Sequence, residues 1–486
     1  MPYRNSFIII LSSLCLLSMP CFAASPPAVS DDTEQCLGCH EQVHPGIVSD
    51  WRQSVHATGS LRTDKAANAP APRSVGCAEC HTVRADKHTA TFDHNGFSVH
   101  PDVSPADCAT CHGPESSQFS ENLMQHAYGN LMDNSVYRDL VAASAGAFEK
   151  TKTSRFATPA PDTLADTCLY CHGTKLVVAG TVTRDTSLGE MDFPVLTGWP
   201  NQGVGRINTD GSAGSCAACH TRHRFSIETA RKPYTCKQCH EGPDVPAFKV
   251  YNASKHGNVI ASDAKTDYTP VPWKAGADFA APTCAACHIS ETAAPDGTAI
   301  APRTHRVNDR LSYRLFGVPY ATAHPKSPDL SIIRNGQGQP LTATLAGKPA
   351  EKFLIGAEEQ ARRNTNMQAL CLACHSTSWV TGHFARLDAS VRGTNAATLT
   401  ATRIMETLWD KEAAQGFSAN KNPFDEPAEF LWTRTFLFYA NSTRFAAAMS
   451  GGGDYATFAD GRFEMNQAIA ELNEMVKATE KKDKRK

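Results

Sequence analysis

Net charge is nearly absent from this chain: 47 Lys and Arg stand against 49 Asp and Glu, a formal −2 over 486 residues. That balance gives no electrostatic case for binding nucleic acid or an anionic membrane. Long apolar runs are scarce as well. Beyond the N-terminal segment there is no run of about 18 apolar residues, so no membrane-spanning helix is predicted for the mature chain. Cysteine free for disulfide bonding is also missing. Of 18 cysteines, only Cys15 and Cys21 fall outside one repeated pattern, and none follows Cys374.

That pattern is C-x-x-C-H, and it occurs eight times. The copies are Cys36, Cys39 and His40; Cys77, Cys80 and His81; Cys108, Cys111 and His112; Cys168, Cys171 and His172; Cys216, Cys219 and His220; Cys236, Cys239 and His240; Cys284, Cys287 and His288; and Cys371, Cys374 and His375. It is the attachment signature of c-type haem. Two thiols add across the haem vinyl groups and the adjacent histidine becomes the proximal iron ligand. Zinc sites pair C-x-x-C knuckles without requiring a histidine after each. A disulfide framework would not repeat one spacing eight times. Eight covalently bound haems c, each with its iron, are therefore predicted.

The first residues place Arg4 before an apolar run from Phe7 to Leu17 and a small-residue exit near Ala23. This predicts a secretory signal peptide over 1–23, and the Met19-Pro20 before Cys21 is wrong for lipoprotein processing. Export suits c-type haem, so the periplasm of a Gram-negative bacterium is the expected compartment. Residues 24–395 read as an octahaem cytochrome c domain. There, eight haems form much of the core and short helices and loops rich in Gly, Pro, Ser and Thr wrap them. One short helix is legible, opened by Pro45 with Val48, Trp51 and Val55 on one face. From about 396 to 486 the helical signals strengthen, with Ile404 and Leu408, a start at Asp425-Glu426-Pro427, and the stripe Met465, Ile469, Leu472 and Met475. The closing "EKKDKRK" reads as a solvated tail. The predicted class is all-α with extensive irregular structure, followed by a C-terminal bundle of long helices.

Axial ligands can be counted. Nineteen histidines less the eight in motifs leave eleven: His44, His56, His88, His94, His100, His126, His223, His256, His305, His324 and His383. A haem used only for electron transfer normally takes a second strong ligand, whereas a catalytic haem keeps one face open. Electron-only service would use eight of the eleven and a catalytic enzyme seven. Counting alone does not choose the set.

Several stretches resemble the octahaem hydroxylamine oxidoreductase family. They are "CLGCHEQVHPGIVSDWRQSVHA", "VGCAECH…FDHNGF…VSPADCATCH", "SENLMQHA", "GSCAACHTRHRFSIETARKPYTCKQCHEGPD…NASKHGN", "TCAACHIS…THRV" and "CLACHSTSWVTGHF". Together they span nearly the whole mature chain. The resemblance implies distal ligands at His56, His94, His126, His223, His256, His305 and His383, leaving His44, His88, His100 and His324 spare. It implies seven bis-histidine haems and one open haem. In this family and the related pentahaem nitrite reductases four motifs follow the substrate haem, which points to Cys168, Cys171 and His172; the motif ending at His220 is the runner-up.

The resemblance also concerns chemistry. The family places an acid over the substrate haem, in a Gly-Pro-Asp-His turn after the sixth motif. Here "GPDVP" keeps Asp244 but has Val245 for the histidine. Oxidative members carry a tyrosine late in the chain that bonds covalently to the catalytic haem of a neighbouring subunit in a homotrimer. "MSGGGDYATFADGRFEM" puts Tyr455 there, with a glycine in place of proline before Asp454. The implied function is oxidation of hydroxylamine or hydrazine at the His172 haem, with Asp244, and Tyr313 as a further candidate, moving protons. Electrons would pass to a periplasmic cytochrome or a quinone-linked partner. A reductive homologue acting on nitrite or hydroxylamine is the alternative. Tetrathionate reductase, which normally uses a lysine ligand absent from any C-x-x-C-K here, and a pure electron-transfer cytochrome come next.

Overall fold

When C-x-x-C-H closes one helical turn, its two cysteines and histidine occupy the i, i+3 and i+4 positions of a single face. All eight copies do this. Cys77–His81, Cys168–His172 and Cys284–His288 are one-turn α-helices, and Cys36 to His40 lies within the helix Asp31–Val43. At the other four the histidine amide donates to the first cysteine's carbonyl: His112 to Cys108 at 2.8 Å, and His220 to Cys216, His240 to Cys236 and His375 to Cys371 at 2.9 Å each. Side-chain caps start several of these turns. Ser104 accepts from the Ala106 and Asp107 amides, and Thr283 from that of Ala286. Each such cap is worth about 1 kcal/mol.

The computed structural model describes residues 28–59, 74–149, 155–201, 203–417 and 421–485, so the signal peptide expected over 1–23 lies outside the described residues. Around the motifs the chain is short helix, turn and irregular backbone. The short helix at Pro45 ends at Arg52, one turn before Val55, because Ser54 caps a new turn, Val55–Thr58, by accepting from the Ala57 amide.

An all-α expectation needs one correction. Val177–Thr186 and Gly189–Thr197 form a long antiparallel hairpin closed by a two-residue turn at Ser187 and Leu188. The first strand, VVAGTVTRDT, is rich in β-branched residues, which favour a pleated surface over a helix. Phe193 on the second strand packs against Phe92 and His94, so the hairpin covers the loop that holds His94.

Beyond residue 356 long helices dominate. Ala357–Leu372 leads into the eighth motif, and the 34-residue helix Thr377–Asp410 runs through position 396 without a break. Pro427–Arg434, a π-helical turn Thr435–Tyr439 and Ala440–Ala448 follow in one run, then the 22-residue helix Arg462–Asp483. Met405, Leu408, Trp432, Phe436 and Leu472 bury their side chains together. Val136, Val318 and Leu341 from the preceding region join the same core. On the Arg462–Asp483 helix Met465 and Leu472 are buried, while Ile469 and Met475 flank them. Among the described residues no helix is long and apolar enough to cross a membrane.

Candidate haem and substrate site

The fourth motif is clamped from both sides. Gly173 ends the helix Cys168–His172 with φ +88°, and any Cβ there would lie 2.2 Å from the Arg206 backbone. Gly205 approaches as closely, since a Cβ on it would sit 2.7 Å from the His172 carbonyl oxygen. The Val204 amide donates to the Cys171 carbonyl at 3.0 Å. Inside the clamp His172 Nδ1 is 3.0 Å from the Ala127 carbonyl oxygen. Donation there fixes the tautomer and leaves Nε2 as the nitrogen with a free lone pair. His81 is held the same way, by the His100 carbonyl at 2.8 Å.

Asp244 stands in a tight turn, with the Val245 amide donating to the Gly242 carbonyl at 3.2 Å and Pro243 at the second position. Its own carbonyl accepts from Asn441 Nδ2 at 2.7 Å. Its carboxylate is near enough to His172 and His240 to favour their protonated forms, although burial, the larger effect, keeps both below the usual imidazole range. The same charge helps to push the Cys168 and Cys171 thiols up. Val245 contributes no proton carrier beside it.

Two imidazoles sharing one metal, with metal–nitrogen bonds of about 2.0 Å, stand with ring centroids about 6 Å apart. Five motif histidines face a nominated partner at that gap. The pairs are His40 with His94 and His375 with His256 at 6.0 Å, His112 with His56 at 6.1 Å, and His81 with His223 and His220 with His305 at 6.4 Å. Nδ1 of His94, His288 and His305 is buried with no hydrogen-bond partner among the described residues. Burial lowers His81, His220 and His288 to about 4, keeping them neutral, the form that donates to a metal. The sixteen motif cysteines are free thiols. The donor set fits c-type haem.

Among the described residues His172, His240 and His288 have no histidine ring opposite at that gap. His126 and His383 are not brought to a motif histidine in this way. His126 Nε2 lies 3.0 Å from the Ser120 carbonyl, and His383 Nδ1 lies 2.9 Å from Ser450 Oγ. Trp379 stacks between His375 and His383, at 4.1 and 5.2 Å.

The thiols place the motifs in a line. Cys36 is close enough to Cys77 for their charges to repel, and likewise Cys80 and Cys108, Cys219 and Cys236, and Cys287 and Cys371. The thiols of Cys108 and Cys216, of Cys236 and Cys284, and of Cys171 and Cys239 are likewise near enough to shift one another. The order is first, second, third, fifth, sixth, seventh, eighth. The fourth motif branches from the sixth.

The spare histidines have other work. His100 stacks on His88 at 3.8 Å, and its ring nitrogens meet the carbonyls of Asp102 and Val83. So although His100 stands 6.2 Å from His81, both of its nitrogens lie against carbonyls. His88 sits between Asp102 and Asp107, whose hydrogen bonds outweigh burial and raise it to about 9. His44 Nδ1 meets His40 Nδ1 at 2.9 Å. His324 Nδ1 meets the Pro325 carbonyl at 3.0 Å.

Tyr455 lies in the short helix Gly453–Thr457, its ring packed over Gly452, which adopts φ +58°. Tyr313 donates to Asp388 at 2.9 Å, and burial with that bond pushes it up to about 12. The next residue, Arg314, is a cation whose charge, like that of Asp244 but with opposite effect, reaches His172. Sequence reasoning missed it, because a lone arginine in an irregular segment leaves no pattern.

Comparison with known proteins gives four likenesses. A family model described as seven times multi-haem cytochrome CxxCH matches residues 202–295. A solved structure of a hypothetical multiheme protein is 37% identical, with a TM-score of 0.86 over 95% of this chain and 98% of that one. The reducing HAO-like protein complex of Kuenenia stuttgartiensis shares the fold, with a TM-score of 0.61 at 19% identity over 93% of this chain and 85% of that one. Among curated proteins, a probable nitrite reductase-hydroxylamine oxidoreductase fusion protein of the same organism is 24% identical over 275 residues. That alignment takes in 53% of this chain but only 25% of the relative's length.

Proposed function

Because this chain belongs to the hydroxylamine-oxidoreductase-like family of multihaem cytochromes, we propose that it is an oxidoreductase acting on a small inorganic nitrogen compound at the fourth motif. The reading rests on this: five motif histidines face a second imidazole, and of His172, His240 and His288, which face none among the described residues, the charge of Asp244 bears on His172 and His240 and the family's motif order nominates His172. Haem c attached at Cys168 and Cys171 supplies an iron with an exchangeable position and one-electron transfer.

The protein's own residues do the rest. His172 holds its Nδ1 proton against Ala127, and so presents Nε2 in a fixed orientation. Asp244, on a rigid turn, receives or delivers protons as electrons move. The remaining seven motifs form the relay, with ligand pairs His40–His94, His81–His223, His112–His56, His220–His305 and His375–His256. His126 and His383 are the remaining two distal ligands of the set that the family resemblance implies. Eight haems, residues 24–395 as the haem domain and 396–486 as a C-terminal helical domain belong to this reading. So do a cleaved signal peptide, a periplasmic location and an external redox partner.

A Tyr455 cross-link to a haem would favour removal of electrons from hydroxylamine or hydrazine, and within its own chain that ring packs on Gly452. Its partner would be the fourth-motif haem of a second copy in a trimer. Reduction of nitrite or hydroxylamine is the second reading. Val245 favours it, standing where oxidative members have a second proton carrier. Carbon monoxide titration of the reduced protein tests the open site: one haem should bind the gas, and binding by none would sink the proposal. Intact mass and the pyridine haemochrome spectrum, with Tyr455→Phe as control, decide the direction. A spectrum unaltered by that substitution removes the cross-link and leaves reduction.

A further inference from the structure

Arg314 is an anomaly of burial. It is 8% exposed, and among the described residues it has no carboxylate in ion-pair reach. Its Nη2 donates to the Tyr137 hydroxyl at 3.1 Å, its guanidinium lies 5.4 Å from the Phe316 ring centroid, and its Nε has no partner. Directly opposite, in the two-stranded ladder Tyr313–Arg314 with Thr322–Ala323, stands Thr322. It is 7% exposed, and its Oγ1 also has no partner. Residues opposite each other in an antiparallel ladder share a face. Two buried unsatisfied groups, one of them cationic, thus stand on one face.

A buried unpaired cation is strongly disfavoured and so is each unsatisfied buried donor, so the arrangement calls for an anion with acceptor oxygens. Nη1 of Arg206 and Nε of Arg444 also lack a partner among the described residues, but those guanidinium groups bond side-chain amides and carbonyls, and two further buried arginines are satisfied by carbonyls alone. Arg310 donates to the carbonyls of Ala286, Cys287, Ser290 and Pro302, and Arg231 to those of Tyr268 and Pro270. Arg314 has no such carbonyl shell. It also lies by the fourth motif: Tyr137, which it bonds, is on the helix Ser135–Ala145, whose Val141 packs against Leu169 of that motif.

We propose that Arg314 and Thr322 form an anion subsite beside the His172 haem. The ligand is a planar anion with two equivalent oxygens, which matches the guanidinium fork. Two sources offer that chemistry: a nitrite-class substrate, or a carboxylate of the haem itself. The inference rests on the reading of His172 as the substrate site, and it narrows that site's substrates toward anions if the first source is correct.

The test uses the haem-loaded protein, wild type beside Arg314→Gln, Arg314→Lys and Thr322→Val. Nitrite affinity of the oxidised protein is read from haem absorption, carbon monoxide affinity of the reduced protein serves as the uncharged control, and reduced-minus-oxidised infrared difference spectra report the haem carboxylates. With a substrate anion, Arg314→Gln weakens nitrite by about tenfold or more, as loss of a charge-assisted bond implies. Thr322→Val then weakens it less, and carbon monoxide affinity is unchanged. With a haem carboxylate, nitrite affinity holds while the carboxylate bands shift. If neither changes in Arg314→Gln and Thr322→Val, the subsite does not exist. Should Arg314→Gln fail to fold, Arg314→Lys and Thr322→Val carry the same readouts. Wild type that binds no carbon monoxide would overturn the open-haem reading instead, with the infrared arm still deciding the anion site.

Discussion

Asp244 does two things that separate cleanly. The turn is made by Pro243 and the Val245 amide, so it survives a change of side chain at Asp244. Asp244→Asn should therefore leave carbon monoxide binding intact while lowering turnover by about 10²–10⁴, the usual worth of a positioned proton carrier. Steady-state rates within a factor of two of wild type would remove it from the chemistry. His88 offers a second test, in stability. Its pKa is raised to about 9, above an unfolded value near 6.5. Its contribution is fully present below about 6.5 and is lost as pH rises through about 9. Asp107, lowered to about 2 by His88 and the Ser104 amide against its burial, contributes above its unfolded value and loses that only as pH falls toward 2. Between pH 6.5 and 9 the melting temperature of wild type should thus fall more steeply than that of His88→Gln, and parallel curves would refute it. At this scale the motif cysteines and histidines were legible because covalent attachment fixes their spacing. Arg314 and the His88–His100 stack were not, since they depend on contacts between distant segments.

Glycines decide the geometry of one element. The helix Cys168–His172 fits under residues 203–206 only because Gly173, Gly203 and Gly205 lack side chains. In Gly205→Ala the new methyl would lie 2.7 Å from both the His172 carbonyl oxygen and the Tyr128 amide nitrogen, and 2.8 Å from that of Ala127. It must push on the segment that holds His172 Nδ1. The expected result is a lower melting temperature and an altered spectrum of the carbon monoxide-binding haem. Gly46→Ala, in the helix Pro45–Arg52 with nothing within 4 Å, is the control and should be neutral or gain up to about 1 kcal/mol. Equal spectra in the two variants would show that the clamp does not govern the site. The long helices were legible from their stripes, since Met465, Ile469 and Leu472 repeat at helical spacing. The hairpin Val177–Thr186 with Gly189–Thr197 was not, because most of it is exposed and its alternation serves no buried face.

Across the whole molecule, the line of motifs has a consequence for electron flow. Among the described residues the fourth motif meets the line at the sixth, where Cys171 neighbours Cys239, so under the proposed function electrons entering or leaving the fourth-motif haem would pass the sixth motif. The other motifs extend from that junction in two arms, toward the first and toward the eighth. An unbroken relay requires every iron in the arms to be six-coordinate, which makes the ligand to each motif histidine a property of the whole path. The second motif is the sharpest case, because His81 has two neighbours at nearly the same distance, His223 at 6.4 Å and His100 at 6.2 Å. Hydrogen bonding separates them. Both ring nitrogens of His100 lie against backbone carbonyls, to one of which a neutral ring donates, and its own carbonyl already holds His81 Nδ1. His223 makes no such bonds and is kept neutral chiefly by burial. His223→Ala should therefore open a second haem to carbon monoxide, add a high-spin ferric signal and slow reduction of haems on the far side of the break. His100→Ala should leave gas stoichiometry unchanged, since the backbone carbonyl that fixes His81 remains. The reverse pattern would reassign the ligand, and with it the register of the relay from the first motif to the junction.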